Sequence, residues 1–158
     1  LASTPATKIL SAAKIPHQVH SYDHDPRVHS YGDEAATAMG VSADQVFKTL
    51  VIELADGKLA VAVLPVAAKL SLKSAAAALG SPKAVMADPA KAQRTTGYVL
   101  GGISPLGQKR LLPTVIDKSA LTFPTVFCSA GKRGLEISLK PSDLVELTKA
   151  VTASITAS

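Results

Sequence analysis

From Val46 to Leu54, and again from Lys58 to Leu64, the chain carries runs rich in aliphatic and β-branched residues, separated only by Ala55-Asp56-Gly57. Such runs favour extended backbone, and a short connection ending in Asp-Gly folds one strand back on the next. An antiparallel pair is therefore the fixed point of the fold, and the remaining segments must pack against it. With 158 residues, of which 47% are apolar, one domain with a full core is a better expectation than two half-sized ones, so residues 1–158 are read as a single unit. Three Phe, three Tyr and no Trp make that core aliphatic.

Helix signals flank the pair. Thr4 and Pro5 suit a cap and first position, with Ala6, Ile9, Leu10 and Ala13 as the apolar stripe and Pro16 as the stop. His17 to Tyr22 reads as extended, Asp23 to Tyr31 as a loop containing Pro26, and Asp33 as the cap of a short helix ending at Gly40. Ser71 caps a helix with Leu72, Ala75, Ala76 and Leu79 on one face, stopped by Gly80, and Asp88-Pro89 opens another. Gly97 to Gly107 holds too many backbone breakers for a regular element and reads as a shaped loop. Strands are expected at Leu111 to Ile116, Thr125 to Cys128 and Leu135 to Leu139. A final helix from Pro141 would carry Leu144, Leu147, Val151 and Ile155 on one face, with Asp143 and Glu146 near its positive end. The pattern predicts a mixed α/β domain with helices on a largely antiparallel sheet.

Lys48 is out of place in its strand. Period-two alternation puts it on the face of Leu50, Ile52 and Leu54, with Thr49 and Glu53 opposite. An ammonium there either snorkels to water from the strand end or awaits an anionic ligand. Downstream, Gly101-Gly102-Ile103-Ser104-Pro105-Leu106-Gly107 exposes main-chain amides and carbonyls and is followed by Gln108, Lys109 and Arg110, which suits a phosphate, ribose or carbonyl. It is neither a phosphate-binding P-loop, which needs Lys where Gln108 stands, nor a nucleophile elbow, which needs Gly at Leu106. Gly131-Lys132-Arg133-Gly134 offers a second compact resting place for a phosphate backbone.

The charge balance agrees, since 17 Lys and Arg against 12 Asp and Glu give +5 and point to an anionic partner. His17, His20, His24 and His29 lack the helical spacing of a two-histidine metal motif, so no metal and no cofactor is expected. Cys128 sits in an apolar run and reads as a buried hydrophobe; as the single cysteine it excludes an internal disulfide and fits a reducing cytoplasm. Neither a membrane span nor a secretory leader is recognisable, so a cytoplasmic location is expected.

Tyr22-Asp23-His24-Asp25, Gly32-Asp33-Glu34-Ala35-Ala36, Phe47-Lys48-Thr49-Leu50, Gly97-Tyr98, Gly101 to Gly107 and Gly131-Lys132-Arg133-Gly134, in this order, together resemble the YbaK family, free-standing relatives of the editing domain of bacterial prolyl-tRNA synthetases. The Gly-Gly-Ile-Ser-Pro and Tyr-Asp-His-Asp segments are similar to its cysteine-specific branch. The resemblance implies a curved, barrel-like sheet and trans-editing hydrolysis of mischarged Cys-tRNA(Pro). Proline and cysteine are alike in size, and a pocket separates such pairs only about tenfold to a hundredfold. It further implies that Lys48 binds the terminal adenosine's phosphate or ribose and that the Gly101 backbone lies by the scissile ester. Tyr22, Thr49, Gly102, Ile103, Ser104, Pro105 and Ser129 would then form the substrate site, with Lys109, Arg110, Lys132 and Arg133 as tRNA phosphate contacts. The substrate's own thiol would attack its ester, so no enzyme nucleophile is required. The partners implied are the tRNA(Pro) acceptor end and prolyl-tRNA synthetase. Another small amino acid on tRNA(Pro), such as alanine, and a non-catalytic tRNA-binding module are the alternatives.

Overall fold

The computed structural model describes residues 3–25, 27 and 31–157, with Tyr31 and Gly32 described by backbone alone. Pro26 and His29 lie outside the described residues. Helix α1 (Pro5–Ala12) begins in a reciprocal capping box, in which the Thr4 and Thr7 side chains satisfy each other's backbone amides. Strand β1 (His17–Ser21) and helix α2 (Tyr31–Met39) follow, and then β2 (Phe47–Leu54) and β3 (Leu59–Pro65), the hairpin expected at Ala55-Asp56-Gly57. Next come α3 (Leu72–Ala78), β4 (Ala84–Met86), α4 (Pro89–Thr96), β5 (Thr114–Asp117), a 3-10 turn (Lys118–Thr122), β6 (Val126–Lys132), β7 (Leu135–Leu139), α5 (Pro141–Thr148) and β8 (Val151–Ala153). Ser71 and Asp88 cap α3 and α4 with their side chains, as their positions predict.

The strands form two sheets. One is antiparallel, in the order β1-β7-β6; the other has five strands in the order β4-β2-β3-β5-β8. The second is only half antiparallel, because β3-β5 and β5-β8 pair in parallel. A single bridge between Val46 and Phe127 joins the two at a corner. Among the described residues neither sheet closes on itself, so the barrel-like expectation is replaced by two open sheets packed together; the mixed α/β class stands. β3 is the centre of the larger sheet and is buried along its whole length. Its Val61 and Val63 face a core shared with α1, β6, β7 and α5, whereas Ala60, Ala62 and Leu64 face a smaller core beneath α3.

Several boundaries differ from expectation. Ile9 is 40% exposed, so the α1 stripe is narrower than the sequence pattern. α2 starts at Tyr31, which puts Asp33 in the first turn, not at the cap. α5 stops at Thr148, where Lys149 turns left-handed (φ 54°), and Val151 enters β8 at the sheet edge. Here the parallel pairing with β5 outweighs a helical pattern that Leu147, Val151 and Ile155 also satisfy. Leu111 is 62% exposed and precedes β5. Among the described residues no helix is long and apolar enough to cross a membrane.

Candidate active site

Where the two sheets meet, the chain encloses a cavity of about 550 Å³. Residues from both sheets wall it: Lys48 and Thr49 from β2, Ser129 from β6, and Tyr22 just after β1, while Gly101 and Ile103 come from the glycine loop. These are six of the residues expected at the site. Thr49 leads in the direction of Val51, which packs with Ile103, Tyr98 and Ala92, so one face of β2 carries the glycine loop. Lys48 lies on the other face, that of Leu50, Ile52 and Leu54, which pack beneath α3. Its Nζ donates to the Ala68 carbonyl at 2.6 Å. Burial pulls the Lys48 ammonium below the usual lysine range, and the Asp33 carboxylate, which also lines the cavity, opposes that shift. Lys48 thus keeps a cation beside the cavity, held by one carbonyl.

The Thr49 hydroxyl is buried with no hydrogen-bond partner. An unmet hydroxyl is costly in a core, and Thr49 is also one of the residues that line the cavity. Ser129 Oγ accepts from the Gly131 amide at 3.0 Å. Burial pushes the Tyr22 phenol up to about 12, with the nearby Glu136 adding to the shift, so it is a neutral hydrogen-bonding group at physiological pH.

The rest of the glycine loop has another task. Gly102, Ser104 and Pro105 are buried but do not line the cavity. A Cβ on Gly102 would lie 2.9 Å from the Lys132 Cα, and one on Gly131 would lie 2.6 Å from the Tyr98 ring. Both glycines permit the loop and the β6–β7 turn to press together, a contact no side chain could enter. Tyr98 locks it by donating to the Leu106 carbonyl at 2.6 Å, and Ser104 Oγ accepts from the Leu106 amide.

The four expected phosphate contacts separate into two places. Lys132 and Arg133 are exposed on the β6–β7 turn, and the Arg133 guanidinium donates to the carbonyl of Leu100, itself on the cavity wall. Lys109 and Arg110 are also exposed, but Arg110 lines a second groove with Lys58 and Lys91. Lys91 and Thr95 of α4 face that groove, while Pro89 and Ala92 face the cavity, so α4 divides the two.

Sequence reasoning missed Glu136. It is only 7% exposed, lines the cavity with Tyr22 and Ser129, and is pushed up to about 8 by burial. Of the residues discounted as nucleophile or metal ligands, those described have ordinary structural surroundings. Cys128 is fully buried in the main core with its thiol pushed well up. His17 bonds the Ile15 carbonyl, His20 bonds Ser138 Oγ, and His24 pairs with Glu34 at 2.8 Å.

Fold and site together define an α/β domain with a partly apolar cavity flanked by exposed cations, a form suited to a small group carried on an anionic partner. The chain belongs to the family of aminoacyl-tRNA editing domains, which it matches over residues 25–147. It is 33% identical to a candidate Cys-tRNA(Pro)/Cys-tRNA(Cys) deacylase, EbsC of Enterococcus faecalis, over 97% of this chain and 93% of that protein. Among solved structures it is similar to a candidate trans-editing enzyme for prolyl-tRNA synthetase, with 25% identity, a TM-score of 0.84 and full coverage of both chains. It is also similar to the hypothetical protein APE2540, with 25% identity and a TM-score of 0.86 over 98% of this chain and 100% of that one.

Proposed function

We propose that this protein is a trans-editing deacylase that frees tRNA(Pro) of mistakenly attached cysteine, with the aminoacyl end of the tRNA in the cavity between the sheets. The observation that supports this reading is that Lys48, Thr49 and Gly101, from both faces of β2 and the glycine loop, all line one cavity. Lys48 binds the phosphate or ribose of the terminal adenosine, and Gly101 lies beside the ester. Lys132 and Arg133, next to the cavity wall at Leu100, take the phosphates that precede it.

The chemistry fits a site without a catalytic nucleophile. Among the described residues no histidine lines the cavity, and the one thiol is packed in the core. The substrate supplies its own. Its cysteinyl sulfur bonds to the ester carbonyl carbon while the bond from that carbon to the tRNA oxygen breaks, and the thiol proton passes to the departing ribose hydroxyl. The products are free tRNA and a cyclic thioester, which water opens to cysteine. The protein contributes the geometry that brings sulfur onto carbon and polar groups that steady the oxygen's developing charge. Selection of tRNA(Pro) itself is shared with prolyl-tRNA synthetase in this reading.

The test is deacylation of a panel of charged tRNAs by the purified protein. Cys-tRNA(Pro) should be cleaved at least about a hundredfold faster than Pro-tRNA(Pro), in which no thiol can attack. Equal rates, a preference for Ala-tRNA(Pro), or binding without cleavage would each contradict the assignment.

A further inference from the structure

Glu136 lines the cavity, but the proposed chemistry gives it no task. It stands at the centre of the three-stranded sheet, opposite His20 of β1 and Ser129 of β6 in the strand registers. Directly opposed residues share a sheet face, so its side chain lies on the face of Ser129, away from the core that holds Cys128 and Ile137. Among the described residues, the other charged or titratable groups lining the cavity are Tyr22, Asp33 of α2 and Lys48 of β2. His20 is turned to Ser138.

Tyr22 and Asp33 offer no positive charge, and Lys48 is engaged with the Ala68 carbonyl. Burial raises Glu136, and among the described residues no cation counters it. A buried carboxyl that faces a cavity and has no cationic partner among the described residues is costly when ionised unless a ligand brings the missing charge. Glu136 enters from one sheet and Lys48 from the other, so the cavity presents an acid and a cation on separate walls. An amino-acid ester on a nucleotide has the matching polarity, with an ammonium at the acyl end and phosphate at the other.

We infer that Glu136 is a specificity residue that receives the free α-ammonium of the aminoacyl group and thereby selects aminoacyl esters over those whose amine is missing or blocked. This rests on the proposal that the cavity holds the aminoacyl end. The selection separates an aminoacyl-tRNA, which is to be cleared, from a peptidyl-tRNA or N-formylated initiator, in which the nitrogen is an uncharged amide. Binding of the ammonium leaves Glu136 ionised, so the empty site's proton is released when substrate enters near neutral pH.

The experiment compares Cys-tRNA(Pro) with the same tRNA carrying 3-mercaptopropionate, which keeps the attacking thiol and has hydrogen in place of the ammonium, and with N-acetyl-Cys-tRNA(Pro). The wild-type protein should prefer the free amine over the mercaptopropionyl ester by about thirtyfold or more in kcat/KM, the effect of removing one partner from a buried charge pair. Glu136→Gln should raise KM for Cys-tRNA(Pro) by at least about tenfold with a smaller change in kcat, and should reduce the preference to a fewfold. Glu136→Asp, which keeps the charge, should retain most of it. A Glu136→Gln protein that is folded by circular dichroism and keeps the wild-type KM and preference would overturn the inference while leaving the deacylase assignment intact. A wild-type protein that cleaves none of the three esters would instead refute the assignment, and the role of Glu136 with it.

Discussion

β3 and β7 are both the central strands of their sheets, and both are buried at every position. β3 is apolar from Leu59 to Pro65 and meets hydrophobic neighbours on both faces, whereas β7 places Glu136 and Ser138 among Leu135, Ile137 and Leu139. Equal burial with unequal polarity separates scaffold from site. Ser138 is matched by His20, but Glu136 sits against the cavity, where a ligand can supply what the fold does not. β3 holds the architecture in place, and β7 accepts a cost in the empty protein that only function explains.

The strongest way to break this contrast is to give β3 the polarity of β7. Ala62→Asp, at a fully buried position with no cavity beside it, should destabilise the domain by more than about 4 kcal/mol, enough to prevent folding at moderate temperature, as followed by urea unfolding. Lys48→Ala should instead leave a folded protein while lowering kcat/KM for Cys-tRNA(Pro) by about a hundredfold. Loss of fold in that variant would make Lys48 a structural residue.

Glu136→Gln sharpens the contrast through pH. A carboxyl raised from 4.5 to about 8 by burial holds its proton longer folded than unfolded, so it lowers stability as pH climbs through that window. The variant should match wild type near pH 4 and be more stable by about 2–4 kcal/mol at pH 9, read from urea midpoints at the two pH values. A constant difference would mean that Glu136 is solvated. The smallest effect is expected from Thr49→Val, which removes the unpartnered hydroxyl at similar volume. The empty protein should gain about 0.5–1 kcal/mol in thermal unfolding while deacylation slows severalfold.

Much of the scaffold is legible in the sequence, because its signals are local. Thr4-Pro5, Ser71 and Asp88-Pro89 cap helices by chemistry contained in four residues, and Asp56-Gly57 turns the hairpin. Parallel pairing is not local, so β8 is hidden within an apparent helical stripe and the larger sheet is more parallel than expected. The site divides similarly. Lys48 is conspicuous because it interrupts an aliphatic face, and Thr49, Gly101, Ile103, Ser129 and Tyr22 line the cavity as the family resemblance implies. Gly102, Ser104 and Pro105 do not line it, and the contact of Gly102 with the β6–β7 turn is visible only in three dimensions. Glu136 escaped because Leu-Glu-Ile-Ser-Leu alternates like a strand with one wet face, and the cover over that face comes from elements distant in sequence. The alternation itself was the available signal, but it could not distinguish a solvated glutamate from a buried one.

The most direct measurement is a crystal structure with adenosine carrying cysteine through a non-hydrolysable 3′-amide. The cysteinyl group should lie among Tyr22, Ser129 and Glu136, with its carbonyl beside Gly101 and the adenosine toward Lys48. Ligand bound in the groove of Lys58, Lys91 and Arg110, or seated with the adenosine against Glu136, would contradict the account.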